Sequence, residues 1–367
     1  MKPIFLLGEA QGENEAKIGK GFVGPTGAEL LRMLNDAEVI SFTTEDRTHL
    51  SKWYRTKDPY ALAAIWDLHP EIYRTNVFQH HPPGNDLLHF CGGKTEGIAG
   101  YPILTKSKYV RKEFQHELDR LGDEILEHNP NIIVALGNTA LWAMAGRTGI
   151  TKLRGTTCVS THCVSGYKLL LTYHPSAVTR QWELRPTTVA DLSKILKEKD
   201  TSDVTRPTRE IWIEPNLEDI QRFIQDHIKG CSILSVDIET SGSQITCIGF
   251  APRKDLAIVI PIYDERTKSG SYWPTAADER RCWEYIRDVL EDQSIPKVLQ
   301  NALYDVPFTL RSYGIRMMNV AEDTMLCHHA LQPESLKGLG YLGSIYTDEG
   351  PWKSERKFSN TTIKRDA

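Results

Sequence analysis

The 367-residue chain has no apolar run long enough to cross a membrane, no glycine-rich phosphate loop and no CxxC pair. Its longest apolar runs, such as Ile132–Leu136, are strand-length, against the roughly 20 residues that a membrane helix needs. The opening Met1-Lys2-Pro3-Ile4-Phe5-Leu6-Leu7 moves straight into Gly8. That run is too short for a secretory signal and no small-residue cleavage site follows, so the expected compartment is the cytoplasm. Neither GxxxxGK(S/T) nor GxGxxG after a strand occurs, which sets aside a nucleotide-metabolism enzyme of α/β type. The seven cysteines (Cys91, Cys158, Cys163, Cys231, Cys247, Cys282 and Cys327) are odd in number and scattered, as expected of reduced thiols. Excess positive charge is lacking too: 44 Lys and Arg face 48 Asp and Glu, a net charge of −4. This removes a global signature of nucleic-acid binding, although a local cluster can still hold phosphates. Lys106, Lys108, Arg111 and Lys112, with Tyr109 among them, form one such cluster. Taken alone it reads as a solvated basic face.

What is present suits two domains. The length exceeds that of one ordinary core, and 40% hydrophobic with 25% charged residues is a globular profile. The polar stretch from Lys197 to Arg209 reads as the break, giving domains at 1–200 and 210–367 with a linker at 201–209. Before it, strands are expected at Pro3–Leu7, Arg74–Phe78, Ile132–Leu136 and Lys168–Tyr173. Helices are expected at Ala28–Leu34, Glu113–His128 and Thr139–Gly146, the last capped by Asn138. Such alternation predicts an α/β fold with a largely parallel sheet, whose ligands sit at the carboxyl ends of strands. After the break, strand Glu210–Ile213 and helix Leu217–Ile228 precede a three-strand meander (Ser232–Ile238, Gln244–Phe250, Leu256–Ile260). Helix Ala277–Leu290 and strand Lys297–Gln300 follow.

Three strand ends of the first half carry unusual chemistry: Gly8-Glu9-Ala10-Gln11-Gly12 followed by Lys20-Gly21-Phe22-Val23-Gly24, Thr75-Asn76-Val77-Phe78 with Pro82-Pro83-Gly84-Asn85, and Tyr173-His174-Pro175-Ser176. Each alone is a turn or a cap. Together they supply what removal of a flipped-out uracil demands. Phe22 offers a stacking face, and the Asn76 amide a donor and an acceptor for the O4/N3 edge. Backbone N–H groups of the Gly8–Gly12 turn can reach a carbonyl. His174 can donate to the departing base, and Glu9 can orient water or stabilise the sugar cation.

These segments resemble the motifs of the uracil-DNA glycosylase superfamily, closest to its family 4, over most of residues 4–192. The resemblance implies a three-layer α/β glycosylase fold with Glu9 and His174 catalytic, and with Gly8, Gly12, Phe22 and Asn76 binding substrate. Gln11 and Gly21 stand where that family has proline. Family 4 also carries a 4Fe–4S cluster on four cysteines. Here His80 occupies the third position, the fourth falls near Tyr109 or Val110, and the chain starts too late for the first two. No iron–sulfur cluster is expected. His80, His81, His89 and Cys91 have no closed zinc-site spacing either.

The second half places Asp237 and Glu239 on one face of a strand in Val236-Asp237-Ile238-Glu239-Thr240. Asn301-Ala302-Leu303-Tyr304-Asp305 follows, then Glu322-Asp323-Thr324-Met325 at a helix start. Paired acids repel unless a divalent cation joins them, and two such ions suit phosphodiester hydrolysis. The segments resemble DEDD 3′–5′ proofreading exonucleases, of RNase H-like fold, as found before the polymerase of family A DNA polymerases. The resemblance implies two Mg²⁺ or Mn²⁺ ions on Asp237, Glu239 and Asp305, with Asp366 the best candidate for the last ligand. Thr362 stands where that motif has tyrosine, and the chain stops one residue after Asp366. This suggests the front part of a longer arrangement, or a polymerase portion on a separate chain.

Two functions are open at this point. One is an enzyme that excises uracil from DNA, joined to a metal-dependent exonuclease module. The other is a non-cleaving, uracil-sensing and DNA-binding part of a split polymerase.

Overall fold

In the computed structural model, residues 4–205 and 207–347 are described. They form two units: residues 4–205 with 340–347, and residues 207–339. Among the described residues no helix is long and apolar enough to cross a membrane.

The first unit is built on strands β1 (Ile4–Ala10), β2 (Ile72–Phe78), β5 (Ile132–Leu136), β6 (Thr157–Val159) and β7 (Lys168–Thr172), with β3 (Cys91–Gly92) and β4 (Tyr109–Val110) forming a separate short pair. The sheet order is β2-β1-β5-β7-β6. The first four strands run parallel and β6 runs antiparallel to β7. Every residue of β5 is buried, as expected of a central parallel strand covered on both faces. The helix Gln115–His128 buries Leu118, Leu121 and Ile125 on one stripe. Two helices that the sequence reading passed over, Thr44–Thr56 and Pro59–Asp67, lie between β1 and β2.

Asn138 does not cap its helix. The helix Gly137–Ala145 starts directly from β5, with Gly137 at φ 88° making the turn. The Asn138 side chain instead accepts from the Gly149 and Ile150 N–H groups, each at 2.9 Å. Residues 340–347, expected in the second domain, pack with the first unit for a reason visible in their bonding. Arg154, paired in the interior with Asp191, donates to Ser344 Oγ at 2.9 Å, and Lys194 Nζ donates to the Ser344 and Thr347 carbonyls.

The second unit holds β8 (Glu210–Ile213), β9 (Leu234–Ser241), β10 (Gln244–Arg253), β11 (Leu256–Pro261), β12 (Lys297–Leu299) and β13 (Val320–Asp323), in the order β13-β12-β9-β10-β11-β8. The meander β9–β11 is antiparallel, and β12 and β13 add in parallel beside β9. This is the arrangement expected of an RNase H-like unit. On β9, Leu234, Val236 and Ile238 are buried while Asp237 and Glu239 are exposed, so the alternation of the strand puts both acids on one face. Asp323 ends β13 and caps the helix Thr324–Leu331.

Candidate functional site

Register brings the first three segments together. Gly8 lies opposite Asn76 across β1 and β2, Leu7 opposite Ala135, and Leu136 opposite Thr172. The parallel strands therefore finish at one edge, where Glu9, Asn76, Gly137 and His174 line a cleft of about 920 Å³ with Gly12, Glu15, Phe22 and Arg180. Gly8 sits under this cleft. A Cβ there would lie 2.2 Å from Asn76 Oδ1 and 2.7 Å from Phe22 Cζ, so glycine is what lets the amide and the ring approach the strand.

The residue that sequence reasoning missed is Glu15. It is 5% exposed, and its carboxylate accepts from Gly12 N at 3.0 Å, Phe22 N at 2.6 Å and Asn76 Nδ2 at 3.0 Å. Burial pushes its pKa above the usual carboxylate value while these three donors pull it back. One signal was available: a glutamate three residues after Gly12, at the start of a helix, is half of a capping box. Glu15 also corrects an expectation, because the Gly12 N–H is taken by this carboxylate and not presented to a ligand.

Glu15 decides how Asn76 faces the cleft. Only the amide nitrogen can donate to a carboxylate, so the side chain is fixed with NH₂ toward Glu15. From behind, Arg120 Nη2 donates to the Asn76 and Val77 carbonyls at 2.9 Å each. Phe22 is 1% exposed, adopts φ 55°, and holds its ring 6.4 Å from that of His174. His174 begins the helix Pro175–Arg180, and its Nδ1 accepts from Ser176 N at 3.2 Å, with Ser176 Oγ at 2.7 Å. That bonding assigns the proton of the neutral ring to Nε2. Burial, helped by the charge of Arg180, lowers the His174 pKa to about 4. The ring is therefore neutral at physiological pH. Glu9 accepts from Thr139 Oγ1 at 2.7 Å, and burial raises its pKa against that bond and the nearby Arg180.

In the second unit, Asp305 Oδ1 accepts from Ile238 N at 3.2 Å, which pins it to β9 between Asp237 and Glu239. Burial first, and then the charge of Asp237, push its pKa up to about 6. Asp323 acts differently. It accepts from the Asn301, Ala302, Met325 and Leu326 N–H groups, and these hold its pKa below the usual value although burial opposes them. It thereby fastens the start of the helix that carries Asp305. All-oxygen donors of this kind fit Mg²⁺ or Mn²⁺. Among the described residues, however, no group of three or more His, Cys, Asp or Glu side chains is arranged to hold a metal ion. Asp366 lies outside the described residues.

His80 stacks on His89 with centroids 5.5 Å apart, Phe78 stacks on Phe90 at 4.1 Å, and Tyr109–Val110 pairs with Cys91–Gly92.

Comparison with known proteins gives two family matches. Residues 1–198 match the Uracil DNA glycosylase superfamily. The chain belongs to that superfamily. Residues 213–357 of this glycosylase-superfamily chain match a 3′–5′ exonuclease family. It is 26% identical over 195 residues to a type-4 uracil-DNA glycosylase of Thermotoga maritima, covering 52% of this chain and 74% of that one. It is 23% identical over 262 residues to a DNA polymerase of Bacillus phage SP01, covering 63% of this chain. The chain spans only 27% of that polymerase's length. Among solved structures, Brucella melitensis NrnC is matched at 18% identity and a TM-score of 0.27, over 39% of this chain and 63% of that one.

Proposed function

We propose that the first unit hydrolyses the N-glycosidic bond of uracil in DNA. The observation that carries this reading is the locked Asn76 amide between Glu15 and the cleft. With one N–H given to Glu15, Asn76 keeps a second N–H for O4 and its Oδ1 for the N3–H of uracil. Cytosine offers the reverse pattern, a donor at N4 and an acceptor at N3, and the amide cannot turn over to suit it without pointing its oxygen at a carboxylate.

Chemistry follows from the neighbours. Phe22 stacks on the extruded base. The C1′–N1 bond breaks with its electron pair leaving on uracil, and the neutral His174 donates its Nε2–H hydrogen bond to the developing anion. A water oriented by the Glu9 carboxyl bonds to C1′ and releases its proton to solvent through that carboxyl, while N1 of the departed uracil anion takes up a proton from solvent. The products are free uracil and an abasic sugar carrying a hydroxyl. No metal takes part in these steps.

The second unit is read as a 3′–5′ exonuclease module of a phage-type replication or repair protein. Asp237, Glu239 and Asp305 would hold two Mg²⁺ or Mn²⁺ ions, with Asp366 as the further carboxylate. Such ions, when bound, activate a water and stabilise the leaving oxygen of a phosphodiester. The chain's own part is to hold Asp305 against β9 through Ile238 and Asp323. The reading puts a linker at 201–209, the protein in the cytoplasm, and DNA as its partner, acting together with a polymerase portion on the same or a separate chain.

The test is a 5′-labelled single strand with one central uracil, incubated with EDTA or with Mg²⁺ or Mn²⁺ and read before and after alkali. One alkali-dependent break at the uracil, in EDTA as well, supports the glycosylase. A metal-dependent ladder from the 3′ end supports the exonuclease. Intact DNA that is nevertheless bound with preference for uracil would favour a sensing role.

A further inference from the structure

Phe22 poses a physical problem. A bulky side chain at φ 55° sits in the left-handed region, which costs about 1–2 kcal/mol and persists only where the surroundings over-determine it. Four contacts do so here. Glu15 takes the Phe22 N–H, and the Trp66 indole donates to the Phe22 carbonyl at 2.9 Å. Arg74 Nε donates to the preceding carbonyl, that of Gly21, at 3.0 Å. Gly27 leaves the room: a Cβ there would stand 1.9 Å from Phe22 O.

Two of these donors form one device. The Arg74 guanidinium lies over the Trp66 ring, 5.1 Å from its centroid, so each steadies the other while they hold consecutive carbonyls. Burial lowers the Arg74 pKa only to about 10, and the group stays charged. Gly21 directly precedes Phe22, and glycine has the widest backbone freedom, so a restraint on its carbonyl limits the chain where it leads into Phe22. Yet Gly21 is not itself in the left-handed region, and a Cβ there would meet nothing nearer than Arg74 O at 3.5 Å.

We propose that Arg74, seated on Trp66, is a positioning residue that sets the Phe22 ring as the stacking platform for the extruded base. The inference rests on the glycosylase reading for its consequence, but the restraint on Phe22 can be measured without it. A loosened platform weakens base binding in the ground state and the transition state alike, so KM rises and kcat holds.

The experiment uses the full chain with Arg74→Met, Arg74→Met/Gly21→Pro and Trp66→Phe. Two readouts are taken: KM and kcat on uracil-containing single strands, and hydrogen exchange of the Phe22 and Val23 amides. Arg74→Met should raise KM about tenfold, the scale of a lost charged hydrogen bond, with kcat within about twofold, and should speed exchange at Phe22. Gly21→Pro, by fixing the backbone before Phe22, should restore most of both effects. Trp66→Phe should act in the same direction, and serves if Arg74→Met does not fold. Unchanged KM and unchanged exchange in Arg74→Met would overturn the proposal, as would a double variant no better than the single. If the unmodified chain excises no uracil, the glycosylase reading fails, and exchange at Phe22 alone still decides whether Arg74 holds the platform.

Discussion

At the carboxyl edge of the first sheet, the polar groups that would meet a base are already held by other protein groups: Asn76 by Glu15, His174 by Ser176, Glu9 by Thr139. On β9 the situation is different. Asp237 and Glu239 face solvent on one side of the strand, and Asp305 is pushed toward protonation beside them. Under the proposed function the contrast follows from the charge each chemistry must manage. An extruded uracil is neutral until its bond breaks, so its site is best built rigid beforehand, with its polar groups already partnered. A phosphodiester is anionic from the start, and carboxylates become useful against it only when cations stand between. On the proposed reading one edge is pre-organised by the protein alone, and the other is completed by bound ions.

The largest expected effect tests the pre-organised edge. His174→Ala should lower the rate of uracil excision about 10²–10³-fold with KM little changed, the scale of one lost donor to a developing anion. Single-turnover assays on a uracil-containing strand check this. Gly8→Ala comes next. Its Cβ would stand 2.2 Å from Asn76 Oδ1, and overpacking of about 1–3 kcal/mol should reduce kcat/KM by about ten- to hundredfold. Asp237→Asn separates the two edges: metal-dependent degradation should be lost, while uracil excision in EDTA stays within about twofold of the unmodified rate. Excision falling in parallel would break the comparison.

How much of this was legible beforehand depends on how local each feature is. Gly8, Asn76 and His174 sit in short segments at strand ends, and a parallel sheet brings its strand ends to one edge. Asp237 and Glu239 likewise needed only the two-residue period of a strand. Glu15 was harder, since its three donors come from Gly12, Phe22 and Asn76, and nothing local says that they will meet. Arg120 and Arg74 were illegible for a related reason. Their work is to hold carbonyls across the fold, which leaves no pattern in the residues beside them. Asn138 shows the opposite error: a good capping residue lost its place because β5 runs into the helix without a break, and its amide found Gly149 and Ile150 instead.

The smallest effect concerns pH. His174 is lowered from 6.5 to about 4 in the folded chain, so between those values the unfolded chain binds more protons. Stability should therefore fall as pH drops from 6.5 toward 4 and level off below. Urea unfolding at pH 7 and pH 5 checks this, and His174→Gln should flatten the difference. In excision assays His174 should impose no limb above about pH 5. An acid limb would belong to the two buried carboxyls of the cleft, Glu9 and Glu15, both raised by burial.

The most direct measurement is excision of a single central uracil from a labelled strand in EDTA, scored by alkali-dependent cleavage, with Asn76→Asp beside the unmodified chain. A single break at uracil, absent at cytosine and strongly reduced in Asn76→Asp, is the predicted result. Cleavage that requires added metal, or DNA left intact at uracil by the unmodified chain, would contradict it.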